Sequence, residues 1–208
     1  MATCRCGEEM FDGHCPLCSH LLRAGMPHRY LEADRSHFQE EMDEYFDKKE
    51  NLYITGSIGT GKTWLMAAIM RDQIQKTKNT VDNGRFSGYV GYVDDSSLFV
   101  SLPELTFKIR ASMDRDSEDT EYRILSKYGR VRSLFFDDIG AERTTEYSRS
   151  ALFLLMERRN TMANGRTIIT SNLSLNQLAS EHGERIASRI AEMCNVIRLT
   201  GKDRRIQH

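Results

Sequence analysis

The sequence has almost no net charge, with 29 Lys and Arg against 30 Asp and Glu, and no apolar run long enough to cross a bilayer. A chain coated in positive charge is thereby excluded, so any nucleic-acid contact must rest on local, salt-sensitive patches. Its N-terminus, MATCRCGEEM, lacks the basic start and apolar core of a signal peptide, and no internal repeat is present. The expectation is a cytoplasmic protein with no membrane partner. At 208 residues and 39% hydrophobic, the chain can bury one substantial core, with room for a small appendage.

What is present begins with cysteine. Four of the 5 cysteines fall in the first eighteen residues, where a reducing compartment argues against disulfides. Cys4-x-Cys6 and Cys15-x-x-Cys18 supply four thiolates in two close pairs, the donor set of a structural Zn²⁺ site, and Gly7, Gly13 and Pro16 supply turns. Residues 1–25 are therefore read as a zinc-binding knot without helical or strand periodicity. A segment so small has little else to fold it. The alternatives to zinc are free thiols or redox chemistry, and the knot with the helix after it reads either as a docking device for another protein or as a cap that packs on its own domain. Cys194 reads as a small core residue.

Residues 26–50 follow as an acidic linker. Phe38, Met42, Tyr45 and Phe46 recur at i, i+4, i+7 and i+8, which predicts an amphipathic helix. From residue 51 to 208 the pattern alternates between strands and helices, implying a parallel sheet with helices on its faces. The expected strands are NLYIT, SLFVS, VRSLFFDD and TIITSN. The expected helices begin near Lys62, after Ser101, near Thr145 and at GERIASRIAEM. Residues 77–95, rich in Gly, Asn and Asp, read as an inserted loop or hairpin.

The strand NLYIT runs into GSIGTGKTW, residues 56 to 64. Gly56, Gly61, Lys62 and Thr63 fit the pattern G-x-x-x-x-G-K-[ST], here in the strand–loop–helix context the pattern requires. Gly56, Ser57, Ile58, Gly59, Thr60, Gly61, Lys62, Thr63 and Trp64 form the candidate ATP-binding stretch. Its backbone N–H groups and the helix N-terminus suit a dense anion. Lys62 would reach the β and γ phosphates, and the Thr63 hydroxyl would hold Mg²⁺.

SLFFDD is an apolar strand ending in adjacent carboxylates. Asp137 reads as the Mg²⁺-shell residue, and Asp138 as the general base or water-orienting group. Asn172, ending TIITSN, would reach the γ-phosphate or the water if its strand lies between the other two. Arg185 and Arg189 share a helix face. They read either as surface residues paired with Glu184 or Glu192, or as an arginine finger reaching a neighbouring subunit's site. Arg204 and Arg205 read as a solvated tail or a phosphate sensor.

In order and spacing, GSIGTGKT, LFFDDIG, TIITSN, GERIASRI and GKDRR resemble the helicase-loader ATPases of the DnaC and DnaI type within the AAA+ class, over roughly residues 50 to 205. IstB-type transposition helpers are similar over the same span, and phage and mobile-element replication proteins belong to the group. The resemblance implies an AAA+ three-layer α/β fold and an ATPase, slow and stimulated by partners. It also implies self-association into a ring, spiral or filament, and a replicative helicase and single-stranded DNA as partners. Arg185 becomes the finger with Arg189 beside it, and Arg205 the second sensor. The helix carrying Phe107, Lys108 and Arg110 becomes a single-stranded DNA path, an aromatic beside cations suiting stacking plus phosphate contact.

Three features depart from the family pattern. Asp-Asp stands where many AAA+ enzymes have Asp-Glu, the 77–95 insertion is long, and the N-terminal part is short for a helicase-binding domain. Rival readings are a transposition helper acting on duplex DNA and a transposase, and a nucleotide-binding adaptor with little turnover. A small-molecule kinase fits the order of motifs poorly.

Overall fold

The computed structural model describes residues 15–38, 42–82, 96–114, 119–140 and 145–201. Five strands form one parallel sheet in the order β2-β3-β4-β1-β5: β1 is Leu52–Gly56, β2 Ser97–Ser101, β3 Ser133–Ile139, β4 Arg166–Ser171 and β5 Asn195–Leu199. Both faces are covered, which is why these strands are short apolar runs. Side chains alternate across the sheet. Leu52, Ile54, Phe135 and Ile168 enter one hydrophobic layer, whereas Tyr53, Leu134, Phe136 and Ile169 enter the other.

The first layer is built by the long helix α3 (Lys62–Asp82) together with α1 (Pro16–Arg23) and α2 (Asp43–Asp47). The second is built by α4 (Leu102–Ala111), α5 (Glu121–Arg130), α6 (Glu146–Asn160), α7 (Leu175–His182) and α8 (Glu184–Met193). Local signals set the helix starts. Ser101 caps α4 through Glu104 N with Pro103 in the first turn, while Thr145 and Ser148 form a capping box on α6.

Two expectations about the N-terminal region change. Residues 16–23 form a helix, with Cys15 at its N-cap and Pro16 at its first position, and Cys15, Leu17, Cys18 and Leu21 are fully buried in the layer that contains α3. The described part of the cysteine-rich region thus packs on the core of the α/β sheet domain. The linker is not one amphipathic helix. Among its described residues are two 3₁₀ turns, His28–Tyr30 and Arg35–His37, followed by the five-residue α2.

The spacing of apolar residues still registers burial. Phe46 is in the core, and Phe38, Met42 and Tyr45 pack against it. The helix fails because Pro27 precedes the first turn in extended conformation and Asp34, also extended, caps the second. Most of the 77–95 insertion lies outside the described residues. No helix among the described residues is long and apolar enough to cross a membrane.

Candidate functional site

The strand order creates the site. From β1 the chain crosses to β2 on one side, and from β4 it crosses to β5 on the other, so neighbouring strands β1 and β4 send their connections in opposite directions. In parallel sheets a crevice opens at the C-terminal ends of strands at such a switch point. The glycine loop follows β1 there, Asp137 and Asp138 end β3, and Asn172 follows β4, between them.

The loop's shape depends on its glycines. Gly59 has φ +80°, a left-handed conformation that other residues adopt at a cost. A Cβ at Gly56 would lie 2.3 Å from Leu199 O. Bare backbone at Gly56 therefore lets β5 close against the loop's first residue. Ser57 and Ile58 are exposed at the tip, while Thr60 is buried and donates its hydroxyl to Ser57 O at 2.9 Å.

Lys62 is buried, and its ammonium donates to Gly56 O and Ser57 O, each at 2.9 Å, and to Asn172 Oδ1 at 2.6 Å. The Thr63 hydroxyl donates to Asp137 Oδ1 at 2.9 Å. Thr170 Oγ1 donates to the same oxygen at 2.6 Å and accepts from Asp138 N at 2.9 Å. Asn172 Nδ2 donates to Asp138 Oδ1 at 3.3 Å. Lys62, Thr63, Asp137, Asp138 and Asn172 thus form one connected network.

A β-bulge aims the two carboxylates. The β3–β4 register shifts between Phe136 and Ile139, and Asp138 is the only described non-glycine residue with positive φ, at 58°. The extra residue bends the strand and turns consecutive side chains away from strict alternation. Aspartate is among the residues that tolerate this left-handed region best. Burial pushes the Asp137 carboxyl above its ordinary range, against hydrogen bonds from Thr170 and Thr63 that lower it, and the neighbouring Asp138 raises it further. A divalent cation beside Asp137 would offset that penalty.

The arginines do not join this network. Arg185 is exposed on α8 with no ion pair among the described residues, whereas Arg189 bonds to Glu157 and, at 2.9 Å, to Glu192. Arg189 therefore follows the surface-pair reading. Phe107 is 72% exposed on α4, not core, and Arg110 is exposed beside it. Lys108 bonds to Glu104 at 2.6 Å and to the Tyr128 hydroxyl at 3.1 Å. A cavity of about 290 Å³ between α4 and α5 is lined by Phe107, Lys108, Arg123 and Lys127.

Cys15 Sγ accepts from Cys18 N at 3.3 Å, so these two thiols sit together at the start of α1. Cys4, Cys6 and Arg205 lie outside the described residues. Sequence reasoning missed Thr170, although it lies within TIITSN. It also missed Tyr53 and Thr55 of β1, whose hydroxyls donate to Leu173 O at 2.9 and 2.8 Å and tie the loop strand to the residue after Asn172. Hydroxyls at strand ends were the available signal.

No family model matches the chain. Over 170 residues it is 27% identical to the replicative helicase loader DnaI of Bacillus subtilis (strain 168), a match covering 76% of this chain and 48% of that protein. It is 26% identical over 152 residues to the replicative helicase loader DnaC of Buchnera aphidicola subsp. Baizongia pistaciae (strain Bp), covering 73% and 54%. The crystal structure of DnaI superposes with a TM-score of 0.64 at 26% identity, over 86% of this chain and 94% of that one. The chain is similar in sequence to the DnaI and DnaC helicase loaders.

The crystal structure of the DnaC helicase loader gives a TM-score of 0.65 at 20% identity, over 84% of this chain and 100% of that one, which bears on the fold. The same is true of the replication initiator DnaA bound to AMPPCP and single-stranded DNA, at 0.56 and 16% over 82% and 47%. The five-stranded parallel sheet with helices on both faces is a fold shared with these neighbours. This DnaI- and DnaC-like chain spans about half the length of the curated relatives it matches.

Proposed function

We propose that the protein is an ATPase that loads or remodels a replicative helicase. The observation that carries this reading is the convergence of Lys62, Thr63, Asp137, Asp138 and Asn172 at the C-terminal edge of β1, β3 and β4. Their chemistry suits a nucleoside triphosphate with Mg²⁺. The loop offers a glycine-lined cradle and a buried ammonium held by carbonyls and an amide, and Asp137 is a buried carboxylate short of positive charge. When bound, magnesium triphosphate supplies an electrophilic terminal phosphorus and a divalent charge.

The residues divide the work. Lys62 neutralises the terminal phosphates, Thr63 and Asp137 hold the cation, Asp138 takes a proton from the attacking water, and Asn172 orients that water through its bond to Asp138. Arg185 is exposed for a neighbouring subunit's site in a ring, spiral or filament, and Arg205 serves as the second sensor. Asp138, one methylene shorter than the glutamate many AAA+ enzymes have there, goes with slow turnover used as a switch.

Phe107 and Arg110 present an exposed aromatic and a cation on α4, which suits a stacked, unpaired base better than a duplex edge. Lys108 contributes from the same helix. Cys15 and Cys18 with Cys4 and Cys6 would hold a structural Zn²⁺, which would order the N-terminal region for docking on a partner.

The deciding experiment measures ATP turnover and oligomer mass with and without single-stranded DNA and a cognate replicative helicase. ATP-dependent capture of the helicase, lost in Lys62→Ala, which abolishes nucleotide binding, and persisting without release in Asp138→Asn, which blocks hydrolysis, supports a loader. ATP binding without helicase capture would sink that reading and favour a transposition helper or an adaptor.

A further inference from the structure

The bulge in β3 needs support from outside its own strand. Phe136 faces Ile169 and Ile139 faces Ser171, so Asp137 and Asp138 together face the single residue Thr170. Bulges are rare between parallel strands, and a non-glycine residue held at positive φ persists only where its surroundings over-determine it. Four consecutive residues, Thr170 to Leu173, supply those constraints.

Thr170 Oγ1 accepts from Asp138 N at 2.9 Å and donates to Asp137 Oδ1 at 2.6 Å. Ser171 Oγ donates to Ile139 O at 2.6 Å and accepts from Leu173 N at 3.0 Å. Asn172 Nδ2 donates to Asp138 Oδ1 at 3.3 Å, and a Cβ at Gly140 would lie 2.5 Å from Leu173 Cδ1. Residues 137 to 140 are thus fitted, one after another, against residues 170 to 173. Of these four, only Thr170 holds both aspartates, gripping the backbone of one and the carboxylate of the other through one buried hydroxyl.

We propose that Thr170 is a positioning residue for triphosphate hydrolysis: by fixing the bulge, its hydroxyl sets the direction in which the Asp138 carboxylate faces the attacking water. This rests on the nucleotide reading above and adds a residue that acts only through its neighbours. Without the hydroxyl, Asp137 Oδ1 loses a partner and the bulge loses the bond on the N–H of Asp138, the residue held at φ 58°. Relaxation toward regular strand geometry turns consecutive side chains back to opposite faces. A misplacement of about 1 Å costs on the order of 10²-fold in rate. Binding does not share that sensitivity. Lys62 is held by Gly56 O, Ser57 O and Asn172 Oδ1, and Thr63 has its own bond to Asp137, none of them through Thr170.

The test uses the full chain as wild type, Thr170→Val and Thr170→Ser. MgATP turnover is measured below the melting transition of each protein, and calorimetric titration with MgADP gives both affinity and the number of competent sites. Turnover is then expressed per site, so that loss of folded protein does not register as loss of rate. Thr170→Val is expected to lower kcat per site about 10- to 10²-fold, with KM for ATP and MgADP affinity little changed. Thr170→Ser, which keeps the hydroxyl, should recover most of the turnover. Should Thr170→Val fail to fold, Thr170→Cys takes its place: a thiol is a weak donor and a weak acceptor, and its turnover per site should fall below that of Thr170→Ser.

Turnover per site equal to wild type in the valine or cysteine variant overturns the proposal. Turnover and MgADP affinity that fall by the same factor also overturn it, since that is the mark of a residue that shapes the cradle. Wild-type protein that binds MgADP but never turns over ATP, alone or with single-stranded DNA and a cognate helicase, overturns it too and leaves nucleotide binding standing. Wild-type protein that binds neither nucleotide removes the loop reading itself, and this proposal with it.

Discussion

Lys62 Nζ lies 2.6 Å from Asn172 Oδ1, closer than its 2.9 Å contacts with Gly56 O and Ser57 O. The amide thus stands where a terminal phosphate oxygen would sit opposite the ammonium, while its other end reaches Asp138. Asn172→Ala removes the orienting donor but leaves the loop carbonyls around Lys62. Turnover should fall about 10²-fold with nucleotide affinity little changed. Phosphate release and nucleotide titration check this, and a parallel loss of affinity would show that Asn172 serves binding instead.

Thr170 is a second, less obvious joint. Its hydroxyl is buried, donates to Asp137 Oδ1 and accepts from Asp138 N. Thr170→Val keeps the shape and leaves both partners short of a bond, at a cost of about 1–3 kcal/mol. Urea denaturation should register that loss, and Thr170→Ser should restore most of it. Stability equal to wild type in the valine variant would mean that water replaces the hydroxyl.

Much of this arrangement was legible in the residues. Strand SLFVS, the loop context, the acidic end of β3 and the helix after Thr145 follow from apolar runs, caps and glycine spacing, whereas the place of TIITSN between the other two strands was only a condition that the sheet order meets. Besides α1, three elements were not read. In α5, Ile124, Leu125 and Tyr128 form the buried face of an amphipathic helix capped by Thr120, a signal that was passed over. Helix α7 carried its own signal, a capping box between Ser174 and Gln177, and was passed over. Edge strand β5 buries only Ile197 and Leu199, so its alternation is too short to stand out.

The linker shows the opposite error, because periodic apolar residues there report tertiary burial across turns. The seating of residues 24–37 was invisible for a related reason: it is set by contacts with Phe99, Arg71 and Trp64, which lie far along the chain.

Gly56 couples the loop to the sheet edge. Because a Cβ there would sit 2.3 Å from Leu199 O and 3.1 Å from Thr60 Oγ1, Gly56→Ala must push β5 or the loop aside. A backbone carbonyl cannot rotate away as a side chain does. Overpacking of this kind costs about 1–3 kcal/mol. Chemical denaturation should show it, and nucleotide affinity should fall with it, since the displaced loop is the cradle. A variant as stable as wild type with full affinity would mean that β5 yields without strain.

Cys194 offers a test of burial at the start of β5. It is 7% exposed in the layer formed with Ile186 and Ile190, and burial pushes its thiol up to about 12. The unfolded thiol ionises near 8.5, so between these values the folded chain keeps a proton that the unfolded chain releases. The group's contribution to stability is therefore complete below about pH 8.5 and declines as pH rises toward 12. At pH near 8 the native thiolate is scarce and the sulfur is shielded, so iodoacetamide should leave Cys194 unmodified in the folded protein and label it readily in urea. Peptide mass spectrometry resolves it from the N-terminal cysteines. Rapid labelling of Cys194 in the native state would show that the end of α8 opens far more often than its packing implies.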